Sequence, residues 1–397
     1  MPKNPVYLSV EVDLLVQASP YFVIGKTYSD GASLLFNMGG GSAIRFNAEA
    51  MKVLSKCQTP RSVSQLREEY DSDSIELLIN AQVIVKCEQI WDWHAIGRVE
   101  IEIGTYCNWS CEFCPNRENA KPRKSMAMDL FEMIIAKAAR HSSIQAVTFH
   151  SYNEPTVDKD FETRIELLAK SRLKLDLYTN GSGLTKTKLQ MLHDKGVLRT
   201  IVFNIPTVDE NRFEQITGVR TYRQSMQNID DALNMGFNIQ FAIISTGDEE
   251  SERNLEQIRN RFGGRFKQEI TPWPTTDRAG LLTNKYAQMI DITNSYLHGC
   301  YLPLFQLNVG VDGNCFICCE DFYQKETFGH IRDGEIDEIL NSERARTMRR
   351  HIFGGACAPK DFICRRCKEM KRFSQYPRSF RPSEQMAESV GAYPSTI

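Results

Sequence analysis

The stretch Cys107-Asn-Trp-Ser-Cys111-Glu-Phe-Cys114 sets three thiols at C-x3-C-x2-C spacing. Three thiolates on one short loop can hold three irons of a cubane cluster. No fourth cysteine lies nearby, so the fourth iron is left open to bind a small molecule. A zinc ion on this loop would need a fourth protein ligand from elsewhere. Seven more cysteines, Cys300, Cys315, Cys318, Cys319, Cys357, Cys364 and Cys367, fall within 68 residues later in the chain. Cys57 and Cys87 stand apart and read as buried free thiols.

The elements that must position the three-cysteine loop follow from periodicity. Val99–Ile103 is an alternating apolar stretch, so the loop lies at the C-terminal end of a strand. Strand and helix patterns then alternate. Strands are expected at Ala146–His150, Leu173–Tyr178, Thr200–Asn204, Ile239–Ile244 and Phe266–Ile270, with helices between them. Six βα units predict an α/β fold built on a partial (β/α)6 TIM-like barrel over residues 96–285. Chemistry in such barrels sits at the C-terminal ends of strands, which is where the loop lies.

Before the barrel, residues 1–95 carry short alternating stretches and a compact helical unit. Asn47 and Asp71 or Ser72 are N-cap residues for helices with one apolar face. With the closing strand Val83–Val85 this makes a winged-helix-like α+β domain. Phosphate-loop chemistry is not expected of Asn37-Met-Gly-Gly-Gly-Ser42, because no Lys-Ser/Thr pair follows. Residues 286–372 form a small cysteine-rich domain, and 373–397 a flexible polar tail.

The 397 residues are 42% hydrophobic and 25% charged, with a net charge of -2. No strong basic field favours nucleic acid, and Gly41–Cys87 holds six Lys/Arg against six Asp/Glu. No apolar run is long enough to span a membrane, and the N-terminus lacks a signal-peptide layout. The expected location is cytoplasmic, where thiols stay reduced and cysteine groups bind metal rather than pair as disulfides.

The C-x3-C-x-aromatic-C motif, with Phe113 as the aromatic residue, resembles that of the radical S-adenosylmethionine (SAM) family. The resemblance implies a 4Fe–4S cluster whose open iron binds SAM. It implies reductive cleavage of SAM to a 5′-deoxyadenosyl radical, which abstracts a hydrogen atom from the substrate. The family's Gly-Gly-Glu-Pro run corresponds to Tyr152-Asn153-Glu154-Pro155, with the glycines replaced. By resemblance, Glu154 meets the SAM amino group, Asn204 stands where the family has a serine near the ribose or carboxylate, and Phe113 lies near the adenine. Thr179-Asn180-Gly181 resembles the family's run after the third strand.

The later cysteines resemble the SPASM/Twitch iron–sulfur region. The resemblance implies a second, auxiliary 4Fe–4S cluster held by Cys300, Cys318, Cys364 and Cys367, with Cys319 the alternative to Cys318. A structural zinc on the same cysteines is the rival reading. Cys315 and Cys357 are left over. The N-terminal unit resembles the PqqD-like recognition element that binds a leader peptide as an added edge strand. Together these features imply a maturase of a ribosomally made peptide (cross-link, epimerisation or oxidation). Its expected partners are SAM, a leader-bearing peptide and a flavodoxin or ferredoxin electron donor. The alternatives are a dehydrogenase of a small alcohol or sugar, and a non-catalytic iron–sulfur winged-helix regulator. A cysteine thiol is expected if the reaction is an epimerisation. His150, Tyr152, Asp277 and Arg278 fall at or near strand ends, but no catalytic residue is assigned.

Overall fold

The computed structural model describes residues 14–40, 43–92, 96–265, 270, 272–274, 276–283 and 296–367. The expected tail, the 285/286 boundary and residues 266–269 of the expected sixth strand lie outside these.

The N-terminal unit comprises β1 (Leu15–Ala18), β2 (Phe22–Thr27), β3 (Ser33–Asn37), β4 (Ile44–Phe46), α1 (Ala48–Lys56), β5 (Arg61–Ser62), α2 (Val63–Glu69), α3 (Ser72–Asn80) and β6 (Ile84–Lys86). Asn47 accepts the Ala50 N–H and Asp71 the Ser74 N–H, so local side chains fix where α1 and α3 begin. Two small antiparallel sheets, ordered β5-β1-β6 and β2-β3-β4, flank the helices. Val53, Leu54, Leu66, Ile75 and Leu78 on the helices are buried.

The central sheet begins with β7 (Arg98–Ile101), followed by α4 (Asn116–Asn119), α5 (Met128–Arg140), β8 (Ala146–Phe149), α6 (Phe161–Ala169), β9 (Lys174–Thr179) and α7 (Lys186–Lys195). It continues with β10 (Leu198–Asn204), α8 (Glu210–Thr217), α9 (Tyr222–Asn234), β11 (Ile239–Ser245), α10 (Glu249–Phe262) and β12 (Pro272–Pro274). These strands run parallel in the order β12-β11-β10-β9-β8-β7. β8 is buried along its whole length, as a strand covered on both faces must be. The sixth strand lies at Pro272–Pro274, beyond the expected Phe266–Ile270.

The sheet continues beyond the barrel strands into the cysteine-rich region. α11 (Leu302–Phe305) leads into β13 (Gln306–Val309), which pairs parallel with β7 on its free edge. β14 (Asn314–Phe316) and β15 (Thr327–His330) extend it antiparallel, making nine strands among the described residues, and α12 (Ile336–Leu340) and α13 (Glu343–Ile352) follow. Tyr21 meets Phe353 edge-on at 5.0 Å, and the buried Arg349 donates to the Trp91 carbonyl at 2.6 Å. The N-terminal unit is thereby packed on the end of α13.

Candidate active site

The three-cysteine loop leaves β7 and is held by backbone contacts with the end of α8. Ser110 N–H donates to the Thr217 carbonyl and Glu112 N–H to the Ile216 carbonyl, both at 2.9 Å. Trp109 packs edge-on against Phe213 at 5.0 Å. Asn108 donates to Ser182 at 2.8 Å and receives the Asn180 side-chain amide at 3.0 Å. The loop is thus bound to the segment after β9.

Cys107, Cys111 and Cys114 open into one cleft with roughly 960 Å³ of empty space, its mouth included. Strand ends supply the rest of its wall: His150 to Glu154 after β8, Tyr178 to Asn180 at β9, Asn204 at β10, Ile244 on β11 and Trp273 on β12. Phe113 and Arg278 line it too. Asp277 is buried elsewhere and does not line it.

Burial pushes the Cys107 thiol up to about 12, with Glu154 and Cys114 acting in the same direction. Burial, then Cys114 and Cys107, raise Cys111 well above its usual range. Burial raises Cys114 as well. Thiols that oppose one another's ionisation form a donor set that needs cations before all three can be thiolates. The atoms around them also need a ligand. The Trp109 indole N–H and the side-chain oxygens of Asn116, Asn153 and Asn204 are buried without hydrogen-bond partners. This donor set and these unpaired polar atoms fit a cluster and a polar small molecule.

Glu154 is 3% exposed and heavily tied. One carboxylate oxygen accepts from Thr156 N–H at 3.1 Å and the Thr179 hydroxyl at 2.6 Å; the other accepts Asn180 N–H at 2.7 Å. Burial raises its pKa against the lowering effect of those hydrogen bonds. The carboxylate therefore fastens the end of β9 to the loop after β8, while its second oxygen keeps a free lone pair.

The glycine replacements have a visible cause. Tyr152 sits edge-on to Phe322 at 4.7 Å, and its hydroxyl donates to the Cys319 carbonyl. It joins the loop after β8 to the C-terminal region. The preceding residue, Ser151, has φ of 83°, and Arg278 and Ala279 also lie in the left-handed region at 52° and 53°. Strained non-glycine residues at a cleft are a mark of functional sites. His150 Nδ1 meets the buried Glu100 carboxylate at 3.0 Å, and its ring packs on Tyr178 at 4.4 Å. Burial would raise Glu100, but the His150 hydrogen bond and the charges of His150 and Arg98 reverse this and hold it low.

Cys300, Cys318, Cys364 and Cys367 are all buried. Cys318 is raised by burial and then by Cys319, Cys367, Cys364 and Cys300, and Cys364 by burial, Cys367 and Cys300. The charges of the four act on one another, as the thiols of a second donor set would. Among the described residues no three His, Cys, Asp or Glu side chains come together as a site for a single metal ion. Cys318 and Cys319 lie in the turn after β14. Cys318 is grouped with the other three, whereas Cys319 lines the first cleft. Nothing in its spacing could have announced that placement. Cys315 is buried in β14 and Cys357 is exposed. Cys57 is buried as expected, and Cys87 is only half-buried.

Comparison with known proteins follows this geometry. Residues 101–262 match the radical SAM superfamily, and residues 300–368 match the SPASM iron–sulfur cluster-binding domain. The S-adenosyl-L-methionine-dependent 2-deoxy-scyllo-inosamine dehydrogenase of Niallia circulans is 22% identical over 281 residues, covering 68% of this chain and 92% of that protein. The structure of Streptococcus suis SuiB bound to its precursor peptide SuiA superposes with a TM-score of 0.55 at 14% identity, covering 90% of this chain and 94% of that one. The structure of anSMEcpe with bound AdoMet gives 0.50 at 13% identity, covering 72% and 90%.

Proposed function

Because this chain is a radical SAM enzyme with a C-terminal SPASM iron–sulfur domain, we propose that it modifies a ribosomally made peptide whose leader docks on residues 15–92. The cluster and SAM, when bound, supply a radical able to take a hydrogen atom from an unactivated carbon. Cys107, Cys111 and Cys114 would hold the SAM-binding cluster, and Cys300, Cys318, Cys364 and Cys367 the auxiliary one. The free lone pair of Glu154 suits the SAM ammonium group, the unpaired Asn204 oxygen suits a ribose hydroxyl, and Phe113 offers a face to the adenine.

The observation that carries the peptide reading is the open edge of the β2-β3-β4 sheet. β4 pairs only with β3 among the described residues, so its other side can take an extended peptide as a fourth strand. The likeness in fold to SuiB, solved with its precursor peptide, covers 90% of this chain and supports the reading. Fluorescence anisotropy tests it with a labelled precursor peptide encoded beside the gene. Saturable binding is expected; no binding, with turnover of a free polyol, would sink it.

A second reading is dehydrogenation of a small alcohol. The likeness to the inosamine dehydrogenase favours it, as does the cleft-lining His150, which its contact with the buried Glu100 carboxylate holds in place. It predicts that the substrate loses two protons and two electrons.

A further inference from the structure

Cys319 has no place in either ligand set, yet it lines the same cleft as Cys107, Cys111 and Cys114. It enters from the turn after β14, on a different segment from the cluster loop. Its neighbour Cys318 does not line the cleft and is near enough to Cys300, Cys364 and Cys367 for their charges to raise its thiol. The Cys319 backbone is fixed by the Tyr152 hydroxyl, which donates to its carbonyl. Arg278, paired with Glu320 at 2.7 Å, lines the cleft beside it. The other cysteines outside the two sets, Cys57, Cys87, Cys315 and Cys357, do not line the cleft. The same cleft holds the unpaired indole N–H of Trp109, which is 5% exposed and awaits a ligand.

We propose that Cys319 is a catalytic residue that returns a hydrogen atom to the substrate carbon, so that the peptide reaction is a redox-neutral inversion of one residue. This rests on the peptide reading above and narrows it to one outcome. A carbon-centred radical formed on the substrate by hydrogen abstraction takes the hydrogen atom of the Cys319 S–H bond. The S–H bond breaks and a C–H bond forms on the side facing Cys319. Sulfur is left as a thiyl radical. One electron from a low-potential one-electron carrier protein, and one proton from water, restore the thiol. The peptide neither gains nor loses electrons overall.

The test uses the full-length, cluster-loaded enzyme and the precursor peptide in D2O, where the Cys319 thiol exchanges its proton for deuterium. Wild type is expected to yield a peptide with one deuterium at the α-carbon of an inverted residue. C319A and C319S lose this product and keep the wild-type iron content. Deuterated, inverted product from C319A would overturn the assignment. Iron loss in C319A would overturn it by making Cys319 a ligand. A peptide that is cross-linked or oxidised with no solvent deuterium overturns the inversion while the peptide reading stands. A peptide that does not bind, with a free alcohol oxidised instead, overturns both.

Discussion

At the scale of single residues, the candidate site works by holding polar groups that cannot satisfy one another. Cys107, Cys111 and Cys114 are too buried and too close to ionise together without cations. Replacing any one with alanine is expected to abolish SAM cleavage, measured as 5′-deoxyadenosine formation. The triple alanine variant should lower the iron count from about eight to about four per chain, measured anaerobically. Glu154 gives a stability prediction. Its removal in Glu154→Ala orphans the Thr179 hydroxyl and the Asn180 N–H. The expected cost is about 2–3 kcal/mol in denaturant unfolding, together with weaker SAM binding by equilibrium dialysis.

At the scale of elements, the strand-end loops are held by close approach. A Cβ at Gly183 would lie 2.5 Å from the Thr156 hydroxyl and 3.1 Å from the Thr156 carbonyl. Thr156 is one of the donors to Glu154. Gly183→Ala should therefore cost about 1–3 kcal/mol, and it should weaken SAM binding although Gly183 does not line the cleft. Ser151 tests the opposite case. Its φ of 83° suits glycine, so Ser151→Gly is expected to stabilise the protein by about 1 kcal/mol, read as a rise in Tm. The helices and parallel strands were legible in the sequence because their apolar periods are local. The sixth strand was not: Pro272-Trp273-Pro274 lacks a strand pattern, and pairing with β11 makes it one.

At the scale of the whole molecule, the three regions are welded rather than strung together. β13 extends the barrel sheet, and Arg349 on α13 donates to Trp91 and Leu340 carbonyls while nearly fully buried. Arg349→Met removes those donors and leaves the Trp91 and Leu340 carbonyls without them. Hydrogen exchange should then rise across residues 15–92 more than in the barrel, because the contact tying that unit to α13 is lost.

The sequence by itself determined the two groups of cysteines, the strand that presents the first of them and the alternation that builds the barrel. Each is a matter of spacing along the chain, and spacing survives without coordinates. Only the tertiary structure decided which way neighbouring side chains face. Cys318 and Cys319 are adjacent in sequence, yet one joins the second thiol set and the other lines the first cleft. That division depends on β13 docking beside β7 and on Tyr152 reaching across to the Cys319 carbonyl. Contacts between residues more than a hundred positions apart leave no period in the sequence.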